Sequence, residues 1–132
     1  MPGILLDTSG YSAFRRGHSG VLREIQEADG IIITPVVLGE LRAGFLVGRR
    51  AERNKTDLEA FLSSPRVRVA DIDSETAERY AVILVDLREA GTPIPTNDIW
   101  IAASAMQHGL RIVTTDGRFR KVPQVVVDFF AP

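Results

Sequence analysis

Four acidic side chains lie far apart in the 132-residue chain, and each stands beside a short apolar run: Asp7 closes GILLD, Glu40 sits within VVLGEL, Asp98 opens the run IWIAA after PIPTN, and Asp116 closes LRIVTTD. Brought together, they would repel one another and pay for desolvation, which a fold tolerates chiefly when a cation lies between them. The chain has no cysteine and only two histidines, His18 and His108. An all-oxygen ligand set of this kind suits a hard ion, Mg²⁺ or Mn²⁺, that keeps part of its water shell. Ions held that way act on phosphates, by lowering the pKa of a bound water and orienting it for in-line attack on phosphorus.

Each acid also has a local explanation. An acid in the first turn of a helix interacts favourably with the helix dipole, and Asn97 before Asp98 can serve as an N-cap. Glu75 and Glu78 are explained in this way, at the head of a helix that Asp73 or Ser74 caps. His108 suits the negative end of its helix and His18 lies in a loop, so neither is assigned to acid-base chemistry.

Convergence depends on the elements that carry the acids. Five short apolar runs, at 3–7, 30–35, 67–71, 110–116 and 124–129, are patterned as strands buried on both faces. Helical periodicity separates them over 19–28, 36–47, 49–62, 74–90 and within 93–109, with Gly91 and Gly109 placed as C-terminal stops. Strands alternating with helices predict a three-layer α/β/α sandwich around a five-stranded, mainly parallel sheet. With right-handed crossovers, strand C-termini and helix N-termini share one edge of the sheet, so the four acids can meet there, near the point where the strand order reverses.

The bulk properties bound the alternatives. With 45% hydrophobic and 25% charged residues, 1–132 is expected to form one domain with a real core. The lack of cysteine excludes disulfides and thiol catalysis, and the apolar run at the start is too short for a signal peptide. No segment is long enough to span a membrane, so a cytoplasmic location is expected. A net charge of −1 gives no global attraction to nucleic acid, and any such binding needs local patches. Other phosphate and metal sites of this architecture fail residue by residue. Tyr11 stands where an adhesion-type metal site needs serine, and Ser9 where a haloacid dehalogenase needs a second Asp. No lysine follows the fourth strand as a receiver domain requires, and no glycine-rich phosphate loop is present.

LLDTS with Asp7, VVLGEL with Glu40, GTPIPTNDIWIAA with Asp98 and IVTTDGRF with Asp116 occur in this order across nearly the whole chain. In these motifs the chain resembles the PIN-domain ribonucleases, and in size and motif order the VapC toxins of bacterial toxin-antitoxin pairs. The resemblance implies Mg²⁺-dependent endonucleolytic cleavage of RNA. Asp7, Glu40 and Asp98 would hold one ion, and Asp116 would position a second ion or a water. It departs from the chain at Arg118, where relatives often carry a further acid. It also implies a cognate VapB-like antitoxin, and a homodimer or a toxin-antitoxin hetero-oligomer. Two other readings are a housekeeping PIN nuclease of rRNA or tRNA maturation and a non-catalytic module whose acids hold a structural ion; the compact length favours the toxin.

Several further residues are candidates for supporting roles. Thr8, Ser9 and Thr114 adjoin the acids as hydrogen-bond donors, or serve as turn residues. Arg15 and Arg16, Arg49 and Arg50, and Arg118, Arg120 and Lys121 form basic clusters suited to RNA phosphates. Trp100 is assigned to core or interface rather than base stacking. The helical pair over 36–62 is expected to offer Val47, Leu58, Phe61 and Leu62, flanked by Arg49, Arg50 and Arg53, as an apolar groove for the antitoxin.

Overall fold

The computed structural model describes residues 3–132. The chain runs β1 (Gly3–Leu6), α1 (Thr8–Arg15), α2 (Ser19–Glu27), β2 (Gly30–Ile33), α3 (Pro35–Val47), α4 (Ala51–Leu62), β3 (Val67–Val69), α5 (Ser74–Ala90), α6 (Thr96–His108), β4 (Arg111–Thr114), a short 3-10 helix (Gly117–Lys121) and β5 (Val127–Phe129). The strands form one sheet in the order β3-β2-β1-β4-β5, and every pairing is parallel. Successive strands therefore progress outward from β1 to β3 on one side and resume at β4 on the other side. The reversal falls between β1 and β4, where an open parallel sheet leaves a crevice beyond its carboxyl ends.

The central strands carry the core because both of their faces are covered. Ile4, Leu5, Leu6, Ile33, Ile112 and Val113 are fully excluded from solvent. One cluster joins Leu5 and Ile112 to Val37, Leu58, Ile83, Leu87 and Ile99 from α3 to α6. On the other face Ile4, Leu6 and Val113 meet Ala13, Val21 and Ile25 from α1 and α2. Fully burying such side chains contributes about 1.5–3 kcal/mol each, which gives the sheet a rigid frame for whatever its edge presents.

Helix ends follow local chemistry. Asp73 and Thr76 form a reciprocal capping box at the start of α5. Gly91 and Gly109 end α5 and α6 with φ of 70° and 64°, a left-handed conformation that glycine adopts without steric cost.

Three details differ from the sequence reading. The periodicity gives no helix between the first strand and residue 19, but α1 forms directly after Asp7. Thr, Ser and Gly in its first turn are weak helix formers, and the Asp7 cap together with burial of Tyr11 and Ala13 overrides that weakness. The N-cap of α6 is Pro95, with no side-chain cap, so Asn97 lies inside the first turn and does not serve as the cap. Leu58 is 0% exposed, and Phe61 and Leu62 pack partly buried against the core, so these three do not line an open groove. The exposed apolar residues of that region are Leu46 at 81% and Val47 at 89%.

Gly10 is required where α1 crosses β4. A Cβ there would sit 2.4 Å from the Val113 carbonyl oxygen, a backbone atom that cannot turn away. Gly10→Ala should therefore cost about 1–3 kcal/mol through forced backbone movement. Gly39→Ala in α3, where a Cβ meets nothing within 4 Å, should be neutral or stabilising. Thermal melts of the two variants check this; equal melting temperatures would show that α1 can lift off β4 freely.

Candidate metal centre

Asp7 is the first residue past β1, and the β1–β4 register pairs Leu6 with Val113, so Asp7 lies level with Thr114 at the end of β4. Its Oδ1 accepts the Gly10 N–H at 2.7 Å and caps α1. Its Oδ2 accepts the Thr114 hydroxyl at 2.7 Å, and the Ser9 hydroxyl lies 2.9 Å from both oxygens. Ser9 Oγ in turn accepts the Thr115 N–H, and Thr114 Oγ1 accepts the Asp116 N–H. One hydrogen-bonded network thus joins the ends of β1 and β4 at the crevice.

Glu40 projects from the second turn of α3. The Thr8 hydroxyl donates to its Oε1 at 2.5 Å, and the Asn97 side-chain amide donates to its Oε2 at 3.2 Å. Asn97 is the partner that the sequence reading misses. The available signal is its place in the first turn of the helix that carries Asp98, with its amide free once Pro95 occupies the cap. Asp98, in that same turn, is 7% exposed, and its Oδ2 is buried without a hydrogen-bond partner. Asp116 caps the 3-10 helix, accepting the Arg118 N–H.

All four acids line one cavity of about 290 Å³, together with Thr8, Ser9, Ile101 and Arg118. A larger cavity of about 630 Å³ opens at the amino ends of the strands around Gly3 and Gly30, and Asp29 is its only acid. The chemistry therefore gathers at the smaller one. Neither histidine lines it: His18 caps α2 and its Nε2 bonds the Ala131 carbonyl oxygen, while His108 belongs to the opposite cavity.

Of the basic candidates, Arg118 alone lines the acidic cavity. Arg15 pairs with Asp57 at 3.1 Å and, with Arg16, borders a separate pocket against Tyr11 and Phe45. Arg49 and Arg50 lie in the α3–α4 connection. Arg120 stacks 4.2 Å over the Phe129 ring, and Lys121 is exposed at the end of the 3-10 helix. Trp100 stacks on Tyr80 with centroids 4.1 Å apart.

Electrostatics separate the acids. Burial pushes Asp98 up to about 6; Arg118 opposes that rise, and Asp116, Glu40 and Asp7 add to it. Burial also raises Asp7, against the lowering effect of hydrogen bonds from Thr114, Gly10 and Ser9. The Arg118 hydrogen bonds hold Asp116 below the usual carboxylate range. Among the described residues no three acid or histidine side chains stand close enough, as oriented, to ligate one ion directly. Each of Asp7, Glu40 and Asp116 is turned to a protein donor, and Asp98 keeps an oxygen that nothing satisfies. This donor set fits a small hard cation, which takes one or two carboxylates directly and reaches the rest through its waters.

The raised Asp98 makes the metal-free protein sensitive to pH. Because its folded pKa exceeds its unfolded value, the native state gains stability below that value and loses it as pH rises through about 6. Asp116, shifted the other way, loses its contribution only as pH falls below the ordinary carboxylate value toward its own lowered one. In chelator, the protein should therefore become more stable between neutrality and pH 5. Asp98→Asn should be more stable than wild type by on the order of 1 kcal/mol at pH 7.5, with the gap closing by pH 5. Asp7 is a poorer probe, since its replacement also disturbs the α1 cap. Thermal melts across this range test the expectation, and a variant less stable than wild type at pH 7.5 would contradict it.

A PIN-domain family model matches residues 4–125. Ribonuclease VapC4 of Mycobacterium tuberculosis is 36% identical over 95 residues, 72% of this chain and 73% of that protein. Ribonuclease VapC5 of the same organism is 31% identical over 118 residues, 87% of this chain and 84% of that protein. The crystal structure of DNA-bound VapBC from Salmonella typhimurium contains a chain that superposes with a TM-score of 0.84 at 27% identity, covering 98% of both chains. The parallel five-stranded sheet, the order of the four acids and these likenesses agree, and the chain belongs to the PIN-domain family, among its VapC-type ribonucleases.

Proposed function

We propose that the protein is a Mg²⁺- or Mn²⁺-dependent endoribonuclease acting in the cytoplasm as the toxin of a toxin-antitoxin pair, with residues 1–132 forming a single nuclease domain. The observation that carries this reading is the one cavity, at the β1/β4 reversal, that all four acids line, Asp98 among them with a buried oxygen left without a hydrogen bond. A bound divalent ion there supplies Lewis-acid activation of water toward a phosphodiester. Asp98 and Asp7 offer the most deeply buried oxygens to it. Thr8 and Asn97 hold Glu40 in a fixed orientation, as Ser9 and Thr114 hold Asp7, so the ligands are set before the ion arrives. Held in this way, Asp7, Glu40, Asp98 and Asp116 would hold the ion, which would supply an activated water for attack on phosphorus, so that no ribose hydroxyl is needed as nucleophile. No histidine stands in the cavity to run the alternative acid-base route.

Cleavage of a defined RNA tests this. Asp98→Asn should lower the metal-dependent rate by roughly two orders of magnitude or more, with the fold retained. A single 2′-deoxy substitution at the cleaved position should leave the wild-type rate within a few-fold. Loss of cleavage on that substrate would assign the nucleophile to the ribose and overturn the water mechanism.

A cognate VapB-like antitoxin is the proposed partner, within a hetero-oligomer built on a toxin dimer. Its apolar contact is placed on the α3–α4 hairpin, where a cavity of about 280 Å³ lies against Phe45, Leu46, Arg42 and Lys55. Leu46 and Val47 project from the end of α3 beside Arg49 and Arg50, which suits an amphipathic segment with acidic flanks. Leu46→Glu and Arg50→Glu change only exposed side chains, so each should stay folded while weakening antitoxin binding at least tenfold, and Leu46→Glu, which lies outside the basic clusters, should also keep nuclease activity. Calorimetry against the cognate antitoxin checks this, and unchanged affinity in both would move the docking face elsewhere.

A further inference from the structure

Among the described residues, Arg118 makes closer contact with the acid cluster than any other cation. Its Nε lies 3.1 Å from Asp116 Oδ1 and 2.9 Å from Oδ2, its Nη2 lies 2.6 Å from Oδ2, and its backbone N–H donates to Oδ1 at 2.9 Å. Both oxygens of Asp116 are therefore engaged by one residue only two positions away. The same Nε faces Asp98 Oδ2 at 3.5 Å, an ion pair that makes no hydrogen bond and leaves that oxygen unsatisfied. The two acids are thus treated differently: Asp116 is neutralised within the chain, while Asp98 is left for an external cation.

We propose that Arg118 stands in the place of a second metal ion, so that the site takes one divalent cation, on the Asp98 side, with the guanidinium as a fixed positive charge beside it. The inference rests on the metal-dependent reading above. Charge balance favours it. Four carboxylates carry a formal −4, to which one divalent ion and one guanidinium contribute +3, leaving a residual −1. A second divalent ion at Asp116 would have to displace several charge-assisted contacts and would then lie next to the displaced guanidinium. The geometry also suits a durable role. Arg118 is held by a three-residue turn whose first residue is its own partner, so little conformational entropy is lost in forming the pair. Its side chain is 51% exposed, and its Nη1, which makes none of these contacts, is left for an anionic phosphodiester at the cavity mouth.

Calorimetric titration of the metal-free, full-length protein with Mn²⁺ reads the ion count directly. Wild type should bind one equivalent, lost in Asp98→Asn and retained in Asp116→Asn. Arg118→Asp, which exchanges the cation for a ligand, should bind two. In cleavage assays Arg118→Gln should lose kcat, with partial rescue in Arg118→Lys, because a positive charge and not packing is what is missing. Melts in chelator establish that each variant is folded. Two equivalents in wild type, with no change in Arg118→Gln, would overturn the role of Arg118 and leave the metal site standing. No binding in wild type, or binding unaffected by Asp98→Asn, would overturn the metal reading itself and this proposal with it.

Discussion

The Asp7 carboxylate is the junction on which the rest of the site depends. With one oxygen it caps α1, with the other it accepts from Thr114 at the end of β4, and Ser9 bridges both. A buried carboxylate without such donors would cost several kcal/mol or take up a proton. Here backbone and hydroxyl donors replace water and fix where α1 begins. Gly10 then lets α1 pass so close to β4 that no side chain fits between them. The reversal of strand order therefore forms a rigid corner with a negative charge at its apex.

That corner creates an electrostatic burden that the remaining acids increase. Glu40 and Asp98 approach from α3 and α6, and the donors Thr8 and Asn97 relieve Glu40 alone. Asp98 is held in place by its helix, which α5 clamps through the Asp73, Thr76 and Gln107 hydrogen bonds and the Tyr80–Trp100 stack. The helix cannot shift without disturbing that packing, and burial at this position raises the Asp98 pKa, with the neighbouring acids adding to the rise. A fold that holds a charge in an unfavourable position gives up stability, here for the metal site proposed above.

Sequence patterning is legible wherever periodicity and burial agree. All five strands are found, and the motif order brings the four acids to one cavity; the three central runs are buried on both faces as expected, whereas the edge strands VRV and VDF, with Arg68 and Asp128, are only partly buried because, among the described residues, nothing pairs with their outer edges. What escapes the sequence is decided by tertiary contacts. Helix α1 is invisible because its first turn, Thr8 to Gly10, has poor intrinsic propensity and is stabilised by a cap and by β4. Asn97 is read as a cap because the local rule for Asn at a helix start is strong; the bond to Glu40, 57 positions away, is a long-range fact. Leu58 is read as surface for a similar reason: α4 is mostly charged, and only the packed structure shows which of its few apolar residues reach the core. Arg118 is visible in the sequence as a departure from the family pattern, but its engagement of Asp116 is not.

The distribution of the other basic residues follows from the same corner. Of the basic residues proposed for RNA phosphates, only Arg118 lines the cavity that gathers the four acids; the others lie outside it: Arg15 and Arg16 at the end of α1, Arg49 and Arg50 between α3 and α4, Arg120 against Phe129. Trp100 stacks on Tyr80, is half-buried and does not line the cavity. The cavity lining is carboxylate, hydroxyl, one isoleucine and one guanidinium, which can engage a phosphodiester but supplies no aromatic platform on which a base could stack. On the function proposed above, selection among RNAs would be made by the shape and charge of surfaces that surround the cavity, with the acids acting on the phosphodiester delivered to them. Since Arg49 and Arg50 also flank the exposed end of α3, a partner seated there would cover part of the cationic surface proposed for RNA, and on that reading would restrain the nuclease without reaching the acids at all.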